Sequence, residues 1–280
     1  MAIQSNRVPR GDVHAKLTFY QPPADGSAPF QLLNDPVERN YTPLPESTFI
    51  RDVRGSESSL TLDHDAVAVI AGVPESAEKN FADDASIEKN YYPEVERLLL
   101  DNVPGATRVV FFDHTIRRAQ PNAHRAPVLN AHIDQTAKSA ELRVRKHLGD
   151  EAEALLRGRY RIVNVWRTLN KNPVESFPLA FASSASVDDK DIIPVAHIYP
   201  SGYTGQTAAV AKNDAQKWMY LSGMTPNERL LLECFDSEAT KEGSGVKGGR
   251  LPHTAFEHPD TLPDAEARES IEVRALVFGP

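Results

Sequence analysis

Apolar and polar positions alternate along the second half of the chain, in runs short enough to be strands. Tyr160 to Leu169, Pro178 to Ser183, Pro194 to Tyr199, Thr207 to Lys212, Lys217 to Ser222, Arg229 to Phe235, Leu251 to Phe256 and Ile271 to Phe278 each read this way. Period two sends successive side chains to opposite faces. Asn213-Asp214 and Thr225-Pro226-Asn227-Glu228 supply turn chemistry between neighbouring runs. Many short strands without intervening helices predict a double-stranded β-helix, or jelly roll, rather than a parallel sheet.

The first half is less regular. From Ser86 to Asn102 the apolar residues Ile87, Tyr91, Val95, Leu98 and Leu99 recur at helical spacing and stop near Pro104-Gly105, which predicts a helix against a sheet. Arg108 to Ile116 reads as a strand. The loop from Arg117 to Leu129, with Pro121 and Pro127, then delivers the chain to His132. Ala137 to Arg157 predicts a second helical region, split near Gly149, whose mixed charges suggest a solvated outer layer. Before residue 80 only two short strands stand out, Ala15 to Tyr20 and Ala66 to Ala71, in a polar, Pro-containing stretch. The expectation is one domain over residues 1–280, α+β but mainly β, with residues 1–107 as a wrapping scaffold and 108–280 as the jelly-roll core with flanking helices.

Composition sharpens this reading. Twenty-one prolines against fifteen glycines disfavour a long helical bundle. With 280 residues and 40% hydrophobic composition, core size is not limiting. A balance of 39 acidic to 31 basic residues, net charge -8, offers no counter-charge for a phosphate backbone, so nucleic acid is not the expected partner. Cys234 is the single thiol, which rules out an intrachain disulfide and suits a reducing compartment. The segment Met1 to Arg10 lacks the apolar core of a secretion signal, and the apolar run near Ala66 to Val73 is too short for a bilayer. A soluble, cytoplasmic protein acting on a small molecule is expected, with no membrane partner; a homo-oligomer stays open.

One alternating stretch carries chemistry. In Ala131-His132-Ile133-Asp134-Gln135-Thr136, period two points an imidazole and a carboxylate the same way. Pro252-His253-Thr254-Ala255-Phe256 offers a second imidazole in another strand-like segment, and Arg274 follows in the last strand. Two imidazoles and one carboxylate on one face of Fe(II) leave positions for a bidentate oxo-acid and O2. A dicarboxylate such as 2-oxoglutarate would chelate through its keto-acid end and need a cation at the other, for which the planar fork of Arg274 is suited. His258-Pro259-Asp260 repeats the His-x-Asp triplet but reads as a turn.

Around this set, Ser270, Glu272 and Arg274 share one face of the last strand, which is then either solvent or a functional cavity. Asn164 and Ser270 are further candidates for the co-substrate, and Trp166 and Arg167 for the substrate pocket. Asn164 and Trp166 fall on one face of their strand and Arg167 on the other, so only one set can face the metal. Gly243 to Arg250 lacks the Gly-Lys-Ser/Thr ending of a phosphate loop and reads as a flexible connector or a lid before His253. His114, His124 and His197 are spare imidazoles, expected to be structural. Tyr199, Tyr203 and Trp218-Met219-Tyr220 offer aromatic surface that is either core or cavity.

Phe112-Asp113-His114-Thr115, His132-Ile133-Asp134-Gln135-Thr136, Asn164-Val165-Trp166-Arg167, Cys234-Phe235-Asp236-Ser237, Pro252-His253-Thr254-Ala255-Phe256 and Ser270-Ile271-Glu272-Val273-Arg274 together resemble the fungal and bacterial hydroxylase/desaturase group. The group includes a gibberellin desaturase and a cephamycin methoxylase accessory protein. The resemblance spans roughly residues 108 to 278. It implies Fe(II)- and 2-oxoglutarate-dependent oxidation by O2 of a small, secondary-metabolite substrate, by hydroxylation, desaturation or a related C–H oxidation. His132, Asp134 and His253 fall at the ligand positions and Arg274 at the co-substrate position. The long His253 to Arg274 interval departs from the commoner oxygenase pattern. The competing readings are a non-catalytic jelly-roll accessory subunit and a zinc hydrolase, for which no Glu stands out as the base.

Overall fold

The structure, a computed structural model, describes residues 7–34, 36–120, 123 and 125–279. Pro121, His124 and the segment Met1 to Asn6 therefore lie outside the described residues. Two curled sheets form the body. The small sheet has the order β5 (Val67–Ile70), β13 (Arg229–Asp236), β8 (Arg159–Thr168), β15 (Glu269–Gly279) and β6 (Arg108–Arg118), antiparallel throughout. Every residue of β13 is buried, because the strand is covered on both faces.

At the centre of the large sheet β9 (Leu179–Ala182), β14 (His253–Ala255), β7 (His132–Ile133), β11 (Thr204–Val210) and β10 (Ile192–Ile198) lie side by side. Towards one edge follow β12 (Trp218–Tyr220), β4 (Thr42–Asp52) and β1 (Val13–Gln21); towards the other, β2 (Phe30–Leu32) and β3 (Glu38–Arg39). The sheet curls back on itself. Thr18 and Tyr20 of β1 bridge to Asn130 and Ala211, on the far side of β7 and β11.

Alternation decides which residues fill which layer. Phe181 and Met219 face inward and meet Trp166, Leu230 and Leu232 of the small sheet. Their strand neighbours Ala180, Ala182, Trp218 and Tyr220 face the other way, into a cluster closed by Leu17, Phe19 and Ile50 of the folded-back edge. On the small sheet, Val163, Val165, Ile271 and Val273 pack outward against Ile87 of α2 (Asp84–Asn90) and Val95 and Leu99 of α3 (Tyr92–Asn102). Ala140, Val144 and Leu148 of α4 (Ala137–Leu148) and Ala152 of α5 (Ala152–Leu155) cover the Tyr160, Ile162 and Leu276 end. No helix among the described residues is long and apolar enough to cross a membrane.

The strands expected after Tyr160 all form, within a few residues of the expected ends. The first half differs in three ways. One helix was expected over Ser86 to Asn102, but the chain makes two, because Pro93 cannot donate a backbone hydrogen bond and restarts the helix just after Tyr91. The 11-residue strand β4 went unseen, since Pro43 and Pro45 break its pattern; they are tolerated because that end of β4 pairs on one side only, with Tyr20 and Thr18 of β1. The N-terminal scaffold does more than wrap: β4 joins β12, β2 joins β10 and β5 joins β13 by strand pairing. The α4 region, expected to be solvated, buries one apolar stripe.

Phe256, 1% exposed, anchors the strand that carries His253, packing edge-on to Tyr220 at 5.4 Å between ring centroids. Phe256→Ala should lower unfolding free energy by about 3–5 kcal/mol in chemical denaturation; a change below about 1 kcal/mol would mean that this face repacks freely.

Candidate metal centre

The site arises from strand register. His132 and His253 are directly opposed across the antiparallel β7–β14 pair, which puts both rings on one face, with centroids 4.4 Å apart. Asp134, two residues after His132, returns to the same face. Its Oδ1 lies 3.3 Å from Nε2 of His132 and 4.0 Å from Nε2 of His253. One ligand atom from each residue falls within 4.8 Å of the others, and this is the one such group of three or more found among the described residues.

Both rings are oriented alike. Nδ1 of His132 donates to the carbonyl of Asn130 at 2.8 Å, and Nδ1 of His253 to that of Leu251 at 3.0 Å. A carbonyl only accepts, so each proton is fixed on Nδ1 and Nε2 is turned toward Asp134 as the free donor. Burial pushes the His253 imidazolium down to about 4, which keeps that ring neutral. Burial would push the Asp134 carboxyl up, but the charge of Arg274 beside it holds it well below the usual carboxylate range. Two nitrogen donors and one anionic oxygen are ready together, a set that suits a divalent transition metal.

The second oxygen of Asp134 is already taken. Oδ2 accepts from Asn164 Nδ2 at 2.8 Å and from Arg274 Nε at 3.0 Å, both reaching across from the small sheet. Four of the five N–H groups of Arg274 are engaged: besides Nε, Nη1 bonds Asp113 at 3.1 Å and Thr115 at 3.0 Å, and Nη2 meets Glu272 at 2.5 Å. Burial pushes the Glu272 carboxyl up. Glu272, expected on the same face as Arg274, thus stands beside the triad and is committed to Arg274.

Arg268 is placed otherwise. It is 2% exposed and lines a small recess of about 30 Å³ together with the triad, Trp166 and Arg274. Nη1 donates to the carbonyl of Phe177 at 2.5 Å, and its Nε has no partner. Burial pushes its guanidinium down to about 9. Glu272 acts on it only at a distance, and a buried cation without a direct ion pair is costly. Sequence reasoning did not single out Arg268. The signal was present, since period two carried back from Arg274 through Glu272 and Ser270 arrives at residue 268.

The other expected site residues separate cleanly. Asn164 and Trp166 face the triad, whereas Arg167 is on the opposite face, its guanidinium over the rings of Phe81 and Tyr91 at 5.1 and 5.5 Å. Arg167 is therefore removed from the substrate pocket, for the reason that alternation assigns it to the helix-covered side. Ser270 is buried beside Thr168 and Arg117 in the sheet and does not line the recess. His114 bonds Tyr92 and Asp84, and His258 sits in a turn bonded to the Asp260 amide. Trp218 and Tyr220 are core, and Tyr199 and Tyr203 are half exposed. Gly243 to Arg250 is no lid: the amides of Lys247 and Gly248 dock on the carbonyl of Asp63, and a Cβ at Gly248 would meet the carbonyl of Leu62 at 1.9 Å.

A family model described as an oxidoreductase/YMDC permease-like domain matches residues 17–278. The hydroxylase/desaturase poxK of Penicillium oxalicum is 39% identical over 300 residues, covering 96% of this chain and 92% of that protein. The Fe(II)/2-oxoglutarate-dependent dioxygenase nvfI of Aspergillus novofumigatus is 31% identical over 249 residues, with 87% of each chain covered. A solved structure of the iron and alpha-ketoglutarate-dependent endoperoxidase NvfI superposes with a TM-score of 0.86 at 28% identity, over 97% of this chain and 99% of that one. The double-stranded β-helix is thereby shared with an enzyme of known chemistry.

Burial of His253 gives a direct expectation. In the metal-free protein its imidazole should stay neutral, with the proton on Nδ1, from pH 8 down to about 4. The unfolded chain takes up that proton near the ordinary histidine value, about 6.5, so stability falls as pH drops from there toward 4. Imidazole-resolved NMR titration reads this, and a His253 midpoint near 6.5 would contradict the burial argument.

Proposed function

From the premise that this chain belongs to the hydroxylase/desaturase family of Fe(II)/2-oxoglutarate-dependent dioxygenases, we propose that His132, Asp134 and His253 hold its iron. The enzyme is an oxidoreductase of secondary metabolism that uses Fe(II), 2-oxoglutarate and O2. The observation that carries the assignment is the convergence of Nε2, Nε2 and Oδ1 within 4.8 Å, with both Nδ1 protons already spent on backbone carbonyls. When bound, iron and 2-oxoglutarate supply the oxidation of a C–H bond, with succinate and CO2 as co-products.

The chain's own residues orient and shield. Asn164 and Arg274, by occupying Oδ2, leave Asp134 a single oxygen for the metal, so the carboxylate binds through one atom. Arg274 is thus a positioning residue that acts through Asp134, in place of the co-substrate role expected of it from its strand position. The distal carboxylate of 2-oxoglutarate is assigned to Arg268, a buried cation of the recess whose Nε has no hydrogen-bond partner and which makes no ion pair among the described residues. The recess of about 30 Å³ adjoins the larger chamber at Val128 and Arg117, which line both. Trp166 walls the recess and helps to exclude water. Cys234, the single and buried thiol, supports a reducing, cytosolic setting.

The alternative of a non-catalytic accessory subunit has no specific observation in its favour, because no ligand position is lost. Purified protein with Fe(II), ascorbate and 2-oxoglutarate should release succinate, and His132→Ala should reduce this to the no-enzyme background. Succinate release that survives His132→Ala would place the metal elsewhere.

Arg268 and Arg274 should part in kinetics. Arg268→Gln should raise KM for 2-oxoglutarate by about 10–100-fold, the loss of a charge-assisted pair, with Fe(II) affinity held. Arg274→Gln should instead weaken Fe(II) binding by about 10–100-fold. The reverse pattern, with KM responding to residue 274 and metal affinity to residue 268, would overturn the assignment.

A further inference from the structure

Two larger chambers adjoin the metal centre without Arg268 in their walls, and they share Asp134, His197 and Thr207 as a common waist. The first, about 260 Å³, is walled by Tyr20, Tyr41, Val195 and Ala209 and contains His132. Its two tyrosine rings are tilted against each other at 5.4 Å, and the Tyr41 hydroxyl donates to Gln31 at 3.0 Å. This is a surface for an apolar or aromatic body.

The second chamber, about 290 Å³, runs between α4 and the turn joining β10 to β11. Lys138, Leu142 and Lys146 recur every fourth residue and so form one stripe facing Tyr199 and Tyr203. Leu142, Tyr199 and Tyr203 are three of the eight large apolar side chains left exposed among the described residues, which concentrates exposed apolar surface at this groove. Neither lysine has a carboxylate partner among the described residues, and Glu141 on the same helix is spent on Arg145 at 3.0 Å. Asp134 is the sole carboxylate of the lining, and it belongs to the metal centre. In a chain of net charge -8, a groove with two unpaired lysines and Arg143 marks a local preference for an anion.

We propose that the substrate is an amphipathic carboxylic acid that straddles both chambers, its aryl or polycyclic body against the paired rings of Tyr20 and Tyr41 and its carboxylate on Lys138 and Lys146. A molecule seated this way presents its middle, not its end, to the metal, because the chambers meet at Asp134. The hydroxyl of Thr207 bonds Nε2 of His197 at 3.1 Å and holds that imidazole as the partition the substrate must pass. The proposal rests on the reading of the triad as the iron site, and names the substrate class for it.

Biphenylbutanoic acid and its uncharged primary amide serve as probes, titrated by calorimetry into the metal-free protein and, without O2, into the protein loaded with Fe(II) and 2-oxoglutarate. The acid should bind about tenfold more tightly than the amide. Lys138→Gln with Lys146→Gln should remove that gap by weakening the acid alone, and Tyr41→Ala should weaken both probes. Equal affinities in the unaltered chain, a gap that survives the double substitution, or a Tyr41→Ala variant that binds both probes as before would each overturn the proposal. A failure of the iron reading would show separately, as absent succinate release, while the metal-free titration still reports on the groove.

Discussion

The two oxygens of one carboxylate divide between the two sheets, and the site depends on that division. Oδ2 of Asp134 is held from the small sheet by Asn164 of β8 and Arg274 of β15, while Oδ1 faces the imidazoles of β7 and β14 on the large sheet. A buried carboxylate is destabilising unless its charge and lone pairs are met. Here the small sheet meets half of them and a metal would meet the rest. Arg274 in turn is held by Asp113 and Glu272 within the small sheet, so the contact it makes across to Asp134 is fixed in direction.

Backbone register does most of the remaining construction. His132 and His253 are 121 positions apart in sequence, yet they become nearest neighbours because β7 pairs β14 at that residue. Each ring is then locked by the carbonyl two positions upstream, just before its strand begins, so the same local device is used twice. The apolar layers on either side explain why such short strands hold. Phe181 and Phe256 alternate inward and outward next to the site, and the two-residue strand β7 needs both clusters to stay in place.

Period two made most of this legible in the sequence. It gave the strands after Tyr160, the shared face of His132 and Asp134, and the polar face of Ser270, Glu272 and Arg274. It was silent where a rule of local chemistry was overridden by position. Pro43 and Pro45 sit in a long strand because the sheet leaves one side of that stretch unpaired. It placed Arg274 on the cavity face but was silent on what that guanidinium is paired with. Arg274 and Arg268 are equivalent by residue type and face; only coordinates show that the first is spent on carboxylates and the second is not. The Gly-rich stretch before His253 read as a lid, but Gly248 is there because α1 (Leu62–Asp65) approaches too closely for a side chain.

The charge layout around the triad is asymmetric. Arg268 and Trp166 line the recess and neither of the two larger chambers, whereas Arg117, Val128, His132 and Asp134 line both the recess and the 260 Å³ chamber. That layout has meaning only if the metal sits where the three donors converge. Anomalous diffraction from a crystal of the Fe(II)-loaded protein tests this most directly. The account predicts one iron peak within bonding distance of Nε2 of His132, Nε2 of His253 and Oδ1 of Asp134, with Oδ2 still on Asn164 and Arg274. A peak bonded to Oδ2, or one that omits His253, would contradict it.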